Sequence, residues 1–280
     1  MSQLHYTRFL EMKRFLAIIL AGLMLLSLAA CGGKDNVVKH GVLEGSGMDS
    51  IRSDAHREHM NTPATTNEII NYSNLSSALM DLESGKISSV GIEGCVADYI
   101  AARNEKVVAS KSNHTMAQFS MMTMDANQEV YDILNNAIKD MKADGTLDSL
   151  IENELKAYIE SDPVAKELPK FDGARTIKIG VTGDLPPMDF VAANGKAAGF
   201  NIALLTEIAN RAQVNFELVQ IETASRPMAL SSGKVDAVFW TKSMKCTVCG
   251  AEGAEEVEGT LVTESYFADY AASLVLKSDK

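Results

Sequence analysis

Strands and helices alternate along this chain on both sides of one proline-punctuated stretch, and that alternation restricts it to an α/β fold. The stretch is "SDPVAKELPKFDG", residues 161–173. Its prolines cannot continue a helix, and Gly173 supplies a turn. Before it, periodicity predicts a strand in "NVVKHGVLEG", a helix in "MDSIRSDAHREHM", a strand in "NEIINYS", a helix in "LSSALMDLESGK" and a strand in "ISSVGIEG". The helix "VADYIAARN" and two short strands, "KVVAS" and "QFSMMTM", complete that run. Val130, Ile133, Leu134, Ala137, Ile138 and Met141 then keep one helix face apolar over three turns. Gly145 is the expected left-handed stop, and Thr146 the cap of a second helix through Leu147, Leu150, Ile151 and Leu155. Beyond the stretch, the pattern resumes with strand "TIKIGVT", helix "FNIALLTEIANRAQ", strand "NFELVQI", helix "RPMALSSGK" and strand "VDAVFW". A last strand is expected in "YAASLVLK". Mostly parallel strands follow from this order.

The two runs echo each other. "LESGKISSV" from Leu82 and "LSSGKVDAV" from Leu230 share a leucine, Ser-Gly-Lys, a β-branched residue and a valine at matching places. Each reads as a helix end, a glycine stop and a buried strand. Two lobes built on one plan are the simplest explanation.

The N-terminus carries a targeting signal. "MKRFLAIILAGLMLLSLAAC" has a basic start at Lys13 and Arg14 and an apolar run from Phe15 to Leu28, too short for a comfortable membrane span. Leu28-Ala29-Ala30-Cys31 resembles the bacterial lipobox, which makes Cys31 the lipidated first residue of the mature chain, followed by a Gly-Gly-Lys-Asp tether. Each buried acyl CH₂ contributes about 0.8 kcal/mol, so the anchor holds the protein on the extracytoplasmic face of the cell membrane. Translation starts at Met1 or Met12. With 280 residues, 46% of them hydrophobic, the chain is long enough for one large domain or two small lobes. Its net charge of −11, with no Lys/Arg cluster, offers no footprint for nucleic acid.

Three cysteines remain after Cys31. Cys246 and Cys249 form "CTVC", which no second C-x-x-C or nearby histidine completes as a metal set. A small disulfide or two thiols in a surface loop is the reading adopted, and no metal or other cofactor is expected. Cys95 reads as a small buried residue.

Several stretches together resemble a known family, the bacterial extracellular solute-binding proteins of family 3. These serve polar amino acid ABC transporters and have the type II periplasmic-binding-protein fold. "IKIGVTGDLPPMDFVAANGKAAGFNIALLTEIANRAQVNFELVQIETASRPMALSSGKVDAVF" is similar to their first lobe. "HGVLEGSGMDSI" and "SGKISSVGIEGCVADYI" are similar to their second, and "NNAIKDMKADGTLDSLIENELKAY" to their C-terminal helices. The order departs from the family, because the segment expected first comes last. The resemblance therefore implies a circularly permuted chain: signal and lipobox at 1–31, lobe 2 at 34–113, a return strand and the usual C-terminal helices at 114–160, a linker at 161–174, and lobe 1 at 175–280.

The same resemblance implies a ligand cleft between two closing lobes, an ABC permease as partner, a monomer, and no catalysis. Glu93 falls where the family carries the aspartate that meets the ligand ammonium. Ser46 keeps a hydroxyl that meets the ligand carboxylate, and Gly47 offers its backbone N–H. Asp184, Trp240, Thr241 and Ser243 are further candidate contacts. Leu185 and Thr223 stand where aromatic rings commonly stack on the ligand. After Trp240, "TKSMKCTVCGAEGAEEVEG" lacks the arginine that pairs with the α-carboxylate, a role left open to Lys242, Lys245 or Arg226. The ligand implied is a small polar solute, amino-acid-like or amine-bearing. Two alternatives stay open: a binding protein that senses ligand for a membrane signalling partner, and a cyclohexadienyl dehydratase-like enzyme with Glu93 and Asp184 as acid and base. His40 and His114 read as structural or exposed, and Phe190, Tyr266 and Phe267 as core.

Overall fold

The computed structural model describes residues 37–44, 66–247, 250, 252–254 and 257–277. The signal segment with Cys31, the helix expected at 48–60, Ser46, Gly47 and Cys249 lie outside the described residues. Apart from Val37 and Thr66, the described residues fall in one compact unit.

In chain order the elements are β1 (Val37–Leu43), β2 (Thr66–Tyr72), α1 (Leu75–Glu83), β3 (Ser89–Glu93), α2 (Gly94–Arg103), β4 (Val107–Met124), α3 (Gln128–Ala143) and α4 (Thr146–Ile151). A π turn, Glu152–Lys156, joins α4 to α5 (Ala157–Glu160). Then follow β5 (Thr176–Val181), β6 (Asp184–Leu185), β7 (Asp189–Val191), β8 (Ala197–Ala198), α6 (Phe200–Ala212), β9 (Asn215–Gln220), α7 (Arg226–Ser231), β10 (Ala237–Cys246), β11 (Glu252–Ala254), β12 (Thr260–Val262) and β13 (Phe267–Leu276). β6, β7 and β8 form a small sheet of their own; the other strands share one sheet.

That larger sheet contains one five-strand plan twice. The first group runs β2-β1-β3-β13-β4 and the second β9-β5-β10-β4-β12. In each, the third strand runs parallel to the second and antiparallel to a strand from a distant part of the chain, β13 or β4. β4 belongs to both groups: its residues 107–111 and 116–119 pair with β13, and along residues 115–124 it also pairs with β10 and β12. The two short strands expected at 106–110 and 118–124 are thus one strand of 18 residues. Nor are the strands mostly parallel. β1–β3, β5–β9 and β5–β10 are parallel, whereas both β13 contacts and every other β4 and β10 contact are antiparallel. The alternating pattern reports only the βαβ steps, and the strands that return between the groups reverse direction.

The echo seen in the sequence is a structural repeat. Ser84 and Ser232 close α1 and α7 with nearly identical dihedrals, −79°/−6° and −82°/−7°. Gly85 and Gly233 follow with φ of +75° and +70°, where a side chain would be strained. The next strands then dock alike: the N–H of Ser88 donates to the carbonyl of Lys39 on β1, and that of Asp236 to Lys178 on β5. Gly41 and Gly180 occupy equivalent places on β1 and β5, each facing the tip of an isoleucine that would have to shift to admit a Cβ.

The helices expected at 128–143 and after Gly145 are present, but Thr146 is not the cap. Its N–H donates to Asp144 Oδ1 at 2.9 Å, so the carboxylate two residues earlier closes the helix. Strand β10 continues past Trp240 to Cys246 and folds back on β11, so the first cysteine of "CTVC" ends a strand and does not lie in a loop. The main core joins both groups through Phe119, Met121, Phe200, Phe239 and Tyr266, all buried. Tyr266 stands edge-on to Phe239 at 5.6 Å, and Phe119 stacks on Phe267 at the same distance, in line with the core assignment of Tyr266 and Phe267.

Candidate ligand-binding site

In α/β sheets, ligands bind outside the carboxyl ends of the strands. In the first group that edge is the end of β3, where Glu93 is 7% exposed and leads directly into α2. The N-terminal turn of α2 is capped from a distance: Asp269 on β13 accepts from the Cys95 N–H at 2.6 Å through Oδ2 and from the Tyr270 N–H at 2.8 Å through Oδ1. Gly94 makes this possible, since a Cβ there would lie 3.0 Å from Asp269 Oδ1 and 3.1 Å from Oδ2. Burial pushes the Asp269 carboxyl above the usual carboxylate range, and the neighbouring Glu93 charge adds to the rise. Burial likewise drives the Cys95 thiol well up, followed by the charges of Asp269 and Glu93, so this cysteine is a packed, unreactive group. Lys111 pairs with Asp98 at 2.6 Å on the side of the same cluster.

In the second group the edge is the turn after β5. Asp189, 1% exposed, organises it: Oδ1 accepts from the Thr182 N–H (3.1 Å), the Thr182 hydroxyl (2.8 Å) and the Gly183 N–H (2.7 Å), while Oδ2 accepts from Asn201 Nδ2 (2.9 Å). Gly183 takes φ +76° to make the turn. The rigid turn presents Asp184, whose Oδ2 accepts from the Leu75 N–H at 3.4 Å, at the start of α1 in the first group. Asn74 Oδ1 takes the Ser77 N–H of the same helix. Burial raises the Asp184 carboxyl above its ordinary value. A second bridge between the groups is the tilted pair of Tyr99 on α2 and Phe190 on β7, 6.3 Å apart. Behind the turn lies a pocket of about 200 Å³ lined by Val181, Gly183, Asp189, Phe190, Ile202 and Gln220.

The remaining candidates are distributed unevenly. Leu185 is 4% exposed and Thr223 8%, Leu185 being part of the main core. Trp240 and Thr241 sit on β10 where its register against β4 slips between Val238 and Thr241. Such bulges re-aim side chains and recur beside binding sites. Ser243 is exposed on the same strand, paired with Gln118 and Ala254. Of the cations weighed for the missing arginine, Lys245 is exposed and paired with Glu252 at 2.5 Å. Arg226 is 3% exposed, and its guanidinium donates to the carbonyls of Phe239 (2.9 Å) and Thr223 (3.1 Å) beside the bulge. His40 contacts Ser89 Oγ through Nδ1 at 2.7 Å. Sequence reasoning overlooks Asp269 and Asp189. A signal for Asp269 is present, as an acid inside the apolar run "YFADYAAS" needs a buried donor. Among the described residues, no group of three His, Cys, Asp or Glu side chains is arranged to hold a metal ion, and no helix is long and apolar enough to cross a membrane.

Residues 177–247 match the family model of the bacterial extracellular solute-binding proteins, family 3. No curated protein matches the chain. Among solved structures, the chain is similar to the ligand-binding component of an ABC-type import system from Staphylococcus aureus with zinc bound, at 12% identity and a TM-score of 0.42, covering 86% of this chain and 66% of that one. It is also similar to CbnR, a LysR family transcriptional regulator (8% identity, TM-score 0.45, 100% and 76% covered). The ligand-binding core of GluR0 in complex with L-glutamate gives 10% identity, a TM-score of 0.42 and coverage of 88% of this chain and 87% of that one. At these scores the likeness bears on neither ligand nor mechanism. The family match runs from β5 to β10 and so takes in three of the five strands of the second group, β5, β9 and β10.

Proposed function

We propose that the chain is an extracytoplasmic solute-binding protein, anchored through a lipid on Cys31, that captures a small polar solute between two lobes and delivers it to an ABC permease. The observation that carries this reading is the family 3 match over 177–247. The repeat of the same five-strand plan in the other group supports two lobes, with β4 and β13 as the strands that cross between them.

The same topology supports a circular permutation. The helices α3 to α5 lead through 161–174 into β5, the expected opening strand of a family lobe. The far end of β13 and the start of β1 meet the same end of β3: Leu274 pairs with Val90 in antiparallel register and His40 with Ser89 in parallel register. Two strand spacings, about 10 Å, separate them, a gap that a short peptide closes.

Glu93 and Asp184 are the acids placed to receive a solute amine, each at the edge of its own group. Lys245 is engaged in an ion pair and Arg226 by backbone carbonyls, which favours an amine over a carboxylate in recognition and leaves Lys242, of the three cations weighed, still open to a carboxylate. A thermal-shift screen of the chain from Gly32 onward against amino acids, polyamines, small peptides and aromatic acids tests this. A binder at about 100 times its Kd adds about 2.7 kcal/mol of stability. One compound class should raise the melting temperature, and Glu93→Ala should remove the rise. A screen in which no compound shifts the melt would count against solute binding.

A further inference from the structure

The segment 146–160 is a single helical rod with a π turn in its middle, and an arginine grips it at each end. At the start, Arg211 of α6 in the second group bonds the Thr146 hydroxyl at 2.9 Å and pairs with Asp144 at 2.8 Å. At the far end, Arg103 of α2 in the first group donates to the carbonyls of Tyr158 (3.0 Å), Ile159 (2.9 Å) and Ser161 (2.7 Å). These are carbonyls that the last helical turn leaves without intrahelical partners, and a cation there is favoured by the helix dipole. The Arg103 guanidinium also lies 3.7 Å from the centre of the Tyr99 ring and 3.7 Å from Asp162 Oδ1. Between the two grips, Leu147 and Leu155 are buried in the core, and the π turn runs from Glu152 to Lys156. π turns are rare and, inside α-helices, are frequent at functional sites.

We propose that the 146–160 rod is a strap between the two strand groups, with Arg103 as its clasp, and that it fixes the resting angle of the groups and yields at the π turn when they close. The proposal rests on the reading that the groups are lobes that move against each other. Arg103 acts as a positioning residue: it carries no ligand contact, and it holds the first group to a rod whose other end is held by the second. Lysine cannot reproduce the grip, because one ammonium cannot span three carbonyls and lie flat on the Tyr99 ring.

The test is a pulsed electron-electron distance measurement between spin labels placed through p-acetylphenylalanine at Asn71 on β2 and Glu217 on β9, both exposed. It is run on the full mature chain, with amide hydrogen exchange of residues 157–161 in parallel. Arg103→Ala and Arg103→Lys should each widen the distance distribution and speed exchange at 157–161 at least about tenfold, the loss of one charged hydrogen bond. Arg211→Ala should widen the distribution in the same way from the other end. If exchange accelerates while the distribution stays as narrow as in the wild type, Arg103 only caps a helix and the strap is refuted. An unchanged distribution with unchanged exchange refutes it as well. Failure of the solute-binding reading looks different: no compound in the screen would raise the melting temperature, while the Arg103 and Arg211 variants would still widen the distance distribution.

Discussion

Gly41 and Gly180 show how tightly the repeat is specified at single positions. A Cβ on Gly41 would lie 2.7 Å from Ile87 Cδ1 and 3.0 Å from the Tyr72 ring, and one on Gly180 would lie 2.6 Å from Ile221 Cδ1 and 3.0 Å from Val238 Cγ1. Alanine at either site overpacks a strand flanked on both sides, so each substitution should destabilise by roughly 1–3 kcal/mol, read as a drop in denaturation midpoint. Asp144 gives a pH signature. Hydrogen bonds from the Thr146 hydroxyl and N–H, then Arg211, hold its carboxyl down at about 2 against an ordinary 3.8. A folded value below the unfolded one means stability that is present above the ordinary value and lost as pH falls toward 2. Asp144→Asn should therefore flatten the acid limb of the melting profile. Asp184 has the opposite sign: burial raises it, so its ionisation costs stability as pH rises through the raised value. Melting curves of Asp184→Asn should move in the variant's favour between acid and neutral pH.

Among the elements, those with strong local signals are legible in the sequence alone. The glycine stops at Gly85, Gly145 and Gly233, the apolar face of α3 and the βαβ steps all follow from spacing within a few residues. Pairing at a distance is not legible in that way. Nothing local says that "KVVAS" and "QFSMMTM" are one strand, because the polar run Lys111-Ser112-Asn113-His114 between them breaks the alternation where β4 passes from β13 alone to β10. Antiparallel returns leave no periodicity of their own. For the same reason Glu93 and Asp184 can be nominated from their neighbours in sequence, whereas the acid in "YFADYAAS" signals a buried donor without naming it, because Asp269 meets Cys95 across 174 positions. At least four hydrogen bonds converge on the buried Asp189 carboxylate. Asp189→Ala would strand buried donors in the turn that presents Asp184, each costing about 1–3 kcal/mol. Amide exchange at Thr182 and Gly183 should rise before global unfolding does.

At the scale of the molecule, the proposed permutation makes a direct prediction. A gene that opens within 161–173 and joins Lys277 to Val38 through a short linker should give a protein with the same circular dichroism spectrum and the same ligand response in the thermal-shift screen. Collapse of that variant would mean that the present order of segments is required by the fold. The shared strands have a further consequence, which concerns time. β13 is inserted between β3 and β4, both of which are made long before it. While the chain is being synthesised, the first group is a sheet with its fourth place vacant, and the edge of β3 that faces that place stays unpaired until Phe267–Leu276 arrives. Premature closure of the earlier segments is thereby delayed until this strand is made.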